Sequence, residues 1–127
     1  PGVNVGAFCT TPLVGIGRNV SRKHAMEMLL MGELIDAETA LRHGLLNKVV
    51  AADDLDAAVM EYATSINGRS TLTMSMGKAA FYQQMDMELD DAYAFASDVM
   101  ARNMQEHDAH EGIDAFLQKR SPEWKGR

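Results

Sequence analysis

The stretch Arg18–Val50, RNVSRKHAMEMLLMGELIDAETALRHGLLNKVV, holds two helix signatures in succession. Ser21 is placed to accept a hydrogen bond from the first turn of a helix over Arg22–Met31. Gly32 follows, where a left-handed residue ends a helix at least cost. Ala25, Met28, Leu29 and Gly32 recur at three- and four-residue steps and share one face. Asp36 then caps a shorter helix reaching His43. Glu38 lies in its first turn, where the helix dipole favours an acid, and Gly44 stands at its end. Leu45–Val50, LLNKVV, reads as a strand.

Upstream, Val3-Asn4-Val5-Gly6 alternates like a strand but is too short to stand without partners. The chain opens on Pro1-Gly2 with no Met ahead and little strand material behind, so it reads as the second half of a larger α/β unit. Thr10-Thr11-Pro12 lead into a helix at 12–19. Pro12 suits its first turn, and Gly15 and Gly17 weaken it. From Asp53 onward the pattern is all helix. Leu55, Val59, Tyr62, Ala63 and Ile66 make one amphipathic helix ending at Gly68. Ser70 starts the next, with Leu72, Met76, Ala79, Ala80 and Gln83 in register. Asp86-Met87-Glu88 makes a turn, and Glu88, Asp90 and Asp91 crowd the helix start that follows. Leu89, Ala92, Tyr93, Ala96, Val99, Met100 and Asn103 form its inner stripe. Asp108 and Glu111 have the spacing of a capping box for a last helix, from which Ile113, Phe116 and Leu117 face inward before Pro122 ends it. The expected fold class is mainly α with one or two short strands, organised as residues 1–52 and a helical region 53–127.

The net charge of -6 argues against non-specific nucleic-acid binding, which needs a basic face. The single cysteine, Cys9, excludes an internal disulfide and suits a reducing, cytoplasmic setting. No apolar run reaches the roughly 18–20 residues of a membrane span, so no membrane partner is expected. His107 and His110 with Asp108 and Glu111 have helical spacing for a metal, but the acids already have a capping role and a fourth ligand is lacking. No metal is expected. His43, in the last turn of its helix, reads as a cation complementing the dipole. Cys9 has no base beside it and reads as buried and inert. Gly15-Ile16-Gly17 lacks the third glycine and the downstream acid of a dinucleotide loop. The basic clusters Arg18/Arg22/Lys23 and Lys119/Arg120/Lys125/Arg127 are solvated surface or phosphate contacts.

Taken together, these residues resemble the enoyl-CoA hydratase/isomerase (crotonase) superfamily. Its G/R-K-x-A-x-E-M-x-L-T-G core followed by I-x-A-x-x-A-x-x-x-G-L-V-x-x-V is matched at Lys23, Ala25, Glu27, Met28, Leu30, Gly32, Ile35, Ala37, Ala40, Gly44, Leu45 and Val49. Glu111-Gly112-Ile113 through Lys119-Arg120 is similar to the family's E-G-x-x-A-F-x-E-K-R close. The resemblance implies the C-terminal half of a crotonase-type α/β (ββα spiral) fold, whose later helices cover an acyl-CoA site and build a trimer or hexamer.

In that family two backbone N–H groups stabilise a thioester enolate. The resemblance puts both donors and the first catalytic Glu in the preceding half, so the 127-residue chain alone is expected to be inactive. The second Glu follows a Pro in the pattern Pro-Glu-hydrophobic-x-hydrophobic-Gly. Pro1, Val3, Val5 and Gly6 fit it, and Gly2 takes the Glu position. Gly cannot move a proton. A single-Glu or isomerase-like enzyme, a non-catalytic acyl-CoA-binding homologue and a helical oligomerisation fragment all remain open. The resemblance implies that Thr10 and Thr11 line the acyl pocket, that Lys119 meets a phosphate of CoA and that Met100 packs against adenine. Coenzyme A enters as part of the substrate, with no separate cofactor.

Overall fold

The computed structural model describes residues 2–127; Pro1, the Pro of the Pro-Glu pattern, lies outside the described residues. A 3-10 turn at Gly2–Val5 is followed by α1 (Thr10–Asn19), α2 (Arg22–Met31), α3 (Ala37–Arg42), a 3-10 turn at Ala52–Asp54, α4 (Leu55–Asn67), α5 (Thr71–Gln84), α6 (Leu89–Asn103) and α7 (His107–Gln118). Residues up to Leu55 form one compact unit and Asp56–Arg127 another.

Neither expected strand forms among the described residues. A strand needs a neighbour to take its N–H and C=O groups. Val3–Gly6 satisfies its own instead: Gly6 N donates to Val3 O at 3.2 Å, and Ala7 N to Gly2 O at 2.9 Å. At the second site, Gly44 turns left-handed (φ 83°) and Leu45 N donates back to Ala40 O at 2.9 Å. That bond closes α3 and leaves Leu46–Val50 as a connecting segment without a ladder.

In the first unit, α1 starts at Thr10, two residues before the expected position, with Pro12 still inside its first turn, and runs unbroken through Gly15 and Gly17. The helix signatures around it hold. Ser21 Oγ accepts from His24 N at 3.3 Å, and Asp36 Oδ1 from Thr39 N at 2.7 Å. Ala25 and Leu29 of α2 are buried. Gly32 is buried at φ 62°, and Asn4 Nδ2 donates to its carbonyl at 3.1 Å. His43 closes α3 as its C-cap. Its ring stacks on His24 with centroids 3.9 Å apart, and its Nδ1 is buried without a partner. Cys9 is half-buried rather than buried.

In the second unit, α5 and α6 run antiparallel. Asn103 Nδ2 at the end of α6 reaches Thr73 Oγ1 in the first turn of α5 at 3.3 Å. Met76 and Ala80 of α5 and Phe95 and Val99 of α6 meet along this seam, all half-buried. Ser70 caps α5, accepting from Thr73 N at 3.3 Å. Several other stripes keep their period but lie open. Leu55, Val59, Tyr62 and Ile66 of α4, Leu89, Tyr93 and Met100 of α6, and Ile113, Phe116 and Leu117 of α7 are all exposed. Phe116 and Leu117, expected inward, are 81% and 71% exposed. Helical period relates residues of one helix to each other but does not supply the surface that covers them.

The expected capping box does not form. Glu106 precedes α7 and makes no side-chain cap. Asp108 and Glu111 point to the returning C-terminal segment. Asp108, 1% exposed, accepts from Lys125 N at 2.8 Å and Gly126 N at 2.9 Å, while its own N–H donates to Arg127 O at 2.9 Å. Glu111 accepts from Glu123 N at 2.8 Å and from both terminal nitrogens of Arg120. The segment beyond Pro122 carries unsatisfied backbone donors, and two acids one helical turn apart take them.

Candidate functional site

Two places in the structure carry the residues singled out from sequence. The first is the turn around Gly2. It folds back so that a Cβ added at Gly2 would stand 2.5 Å from Cys9 Sγ and 2.6 Å from Ala7 O. Both separations are below any normal contact, and the carbonyl is backbone. The position therefore excludes every side chain as the turn stands, an acid included. Thr10 and Thr11 follow Cys9 directly as the first residues of α1, both exposed, with Thr10 N donating to Phe8 O at 2.8 Å. The fold thus brings Gly2 and the Thr pair to one end of α1.

The second place is the end of α7. Lys119 closes the helix at φ 55° and ψ 40°, the left-handed region, with its side chain exposed. Arg120 forms a two-pronged pair with Glu111, at 2.5 Å from Nη1 and 2.9 Å from Nη2. Arg120 Nε also donates to Gln118 Oε1 at 2.8 Å. Trp124 Nε1 donates to Gly68 O at 2.8 Å, and its ring lies over Gly112, where a Cβ would be 3.2 Å from it. Met100 sits on α6, 61% exposed, beside a shallow cavity of about 200 Å³ shared with Met76, Gly77 and Ala80. A larger cavity of about 570 Å³ opens between Met74, Met104, Ile113, Phe116 and Trp124. Lys119 lines neither of these two cavities, and Met100 lines only the smaller.

The two acids of the C-terminal clasp are held charged. Hydrogen bonds from the Ser70 hydroxyl, then from the Lys125 and Gly126 N–H groups and His107, hold the Asp108 carboxyl well below the usual carboxylate range, against the opposing pull of burial. The Arg120 guanidinium, then the Glu123 N–H, bring Glu111 down to about 2. Neither acid is free for a metal or for proton transfer in this arrangement. The capping-box spacing of the two acids carries no sign of the Glu111–Arg120 pair. The three-residue spacing of the acids was visible, but a returning tail gives no periodic signal.

Residues 2–127 match the family described as Enoyl-CoA hydratase/isomerase, and the chain belongs to that family. It is 51% identical over 124 residues to the mitochondrial Enoyl-CoA hydratase domain-containing protein 3 of Mus musculus, covering 98% of this chain and 41% of that protein. It is 33% identical over 126 residues to the 2,3-dehydroadipyl-CoA hydratase of Escherichia coli (strain K12), covering 99% of this chain and 48% of the relative. Among solved structures it superposes on an enoyl-CoA hydratase of Mycobacterium smegmatis with a TM-score of 0.92 at 46% identity, covering 97% of this chain and 48% of that one. The human enoyl Coenzyme A hydratase domain-containing protein 3 superposes at 0.91 with 50% identity, covering 98% and 49%. The chain therefore spans between two fifths and half of the length of the relatives it matches.

Proposed function

We propose that this chain is the helical C-terminal portion of a protein that acts on acyl-CoA thioesters through an enolate, and that it lacks the second acid used for hydration. The observation that carries this reading is the closed turn at Gly2, where a Cβ would meet Cys9 Sγ at 2.5 Å and Ala7 O at 2.6 Å. Adding water across a double bond is served by one acid–base group that activates the water and another that protonates carbon. Moving a double bond conserves protons: one carboxylate takes a proton from one carbon and returns it to another. A site with a single acid suits the second reaction. Thr10 and Thr11 line the acyl end in this reading; Lys119 meets a CoA phosphate and Met100 the adenine. The exposed stripes of α4 and α6 support a homo-oligomer, trimer or hexamer, in which they are covered. The single half-buried Cys9 supports a reducing setting, cytoplasmic in our reading; fractionation tests this against the mitochondrial naming of the vertebrate relatives.

The test is an assay of the full-length protein with crotonyl-CoA for hydration and with 3-enoyl-CoA for double-bond migration, beside calorimetric titration of acyl-CoA. Isomerisation without hydration is expected. Absence of acyl-CoA binding overturns the reading. Binding without either turnover establishes the runner-up, a non-catalytic acyl-CoA-binding homologue, which the same glycine favours.

A further inference from the structure

Lys119 is the one non-glycine residue at positive φ among the described residues. It occupies a position where glycine is the ordinary choice, because a Cβ in the left-handed region crowds the backbone. The backbone demand there is complete: Lys119 N donates to Phe116 O at 3.2 Å and Arg120 N to Ala115 O at 3.0 Å, the paired bonds that reverse a chain at a helix end. Glycine would make both bonds without crowding, so helix termination does not account for the lysine.

The neighbouring cation cannot substitute for it. Arg120 spends Nη1 and Nη2 on Glu111, Nε on Gln118 and a further Nη1 bond on Ser121 O at 3.2 Å. Glu111 in turn holds Glu123 N, so the chain is drawn back along α7 with Lys119 at the bend. Trp124 fixes the far side of the bend through Gly68 O. Among the described residues no carboxylate pairs with the Lys119 ammonium, whereas Lys125 lies 3.9 Å from Glu123.

We infer that Glu111 and Arg120 are positioning residues: their fork holds Lys119 in the left-handed bend so that its ammonium, kept free of internal carboxylates, meets a phosphate group of the CoA moiety. This rests on the acyl-CoA reading above. It makes Glu111, Gly112, Lys119 and Arg120 one device, in which the acid and the arginine shape the turn, the glycine admits the Trp124 ring and the lysine carries the contact.

The test is titration of the full-length protein with CoA and with dephospho-CoA, which lacks the 3′-phosphate, alongside thermal melts. Lys119→Gly is expected to raise the melting temperature by about 2 °C, by relieving the left-handed side chain, and to weaken CoA about tenfold. Glu111→Gln is expected to lower the preference for CoA over dephospho-CoA severalfold, with dephospho-CoA affinity unchanged; a merely structural role would weaken both ligands alike. If Lys119→Gly weakens CoA but Glu111→Gln leaves the preference intact, the positioning role is overturned and the phosphate contact stands. If Lys119→Gly leaves CoA affinity unchanged while wild type binds, both the positioning role and the Lys119 contact fail, and the acyl-CoA reading survives. If wild type binds no CoA, that reading fails with them.

Discussion

Two helices of this protein end in the same backbone conformation by opposite means. α2 ends at Gly32 (φ 62°) and α7 at Lys119 (φ 55°). At Gly32 a Cβ would stand 2.6 Å from Val3 Cγ2 and 3.0 Å from Asn4 Oδ1, so sterics alone require glycine. At Lys119 the bend is open to solvent and a side chain is tolerated at a conformational cost. The contrast separates two reasons for a residue at a helix stop. One is space, which the N-terminal unit has used up by packing the Gly2–Val5 turn onto α2. The other is what a side chain can do once space is available. The same logic runs through the two clasps: the first unit closes through a glycine that admits no side chain, the second through acids that gather backbone N–H groups.

Substitutions at these positions can break that contrast. Gly32→Ala is expected to have the largest effect, destabilising the first unit by about 3 kcal/mol, from the left-handed penalty plus overlap with Val3. A loss in chemical denaturation of only the left-handed penalty, about 1 kcal/mol, would show that the turn yields and that Gly32 and Lys119 are alike. Asp108→Asn comes next. It leaves buried N–H donors facing an amide, and the melting temperature is expected to fall by about 5–10 °C, with faster hydrogen exchange at Lys125 and Gly126. Unchanged exchange there would remove the carboxylate as the clasp.

Acid should loosen the clasp of the second unit. Both clasp acids have folded-state values below their ordinary ones, 3.8 for Asp108 and 4.5 for Glu111. The unfolded chain therefore binds more protons as pH falls, and stability must drop. The contribution of Glu111 is complete above pH 4.5 and is lost as pH falls towards 2; that of Asp108 is lost from 3.8 downward. Urea midpoints measured from pH 7 to pH 2.5 should fall below about pH 4.5, and Glu111→Gln should flatten part of that fall. Equal slopes in the variant and wild type would remove Glu111 as the source. The smallest effect is expected from His24→Ala, about 0.5–1 kcal/mol for loss of the ring stack on His43. A neutral result in the same denaturation would leave Ser21 and Asp36 as the main local ties of α2 and α3.

The helices of this protein were legible from sequence because their causes are local. Ser21, Gly32, Asp36, Gly44 and Ser70 act on backbone groups within a few residues, and their caps and stops stand where spacing put them. Family membership was legible for a related reason: the Lys23–Val49 and Glu111–Arg120 motifs are contiguous. What failed depended on distant partners. Val3–Gly6 and Leu45–Val50 have strand character, but a strand is defined by its neighbour, and without one their N–H groups closed into turns. Asp108 and Glu111 have capping-box spacing, yet the nearest hungry donors proved to be those of a tail some 12 to 18 residues on. Spacing along a helix states which side chains share a face. Only the folded chain decides what that face meets, because burial and hydrogen bonding depend on distance through space. That is how Gly2 came to lie against Cys9, and how Glu111 came to hold Arg120 beside a lysine in a glycine's place.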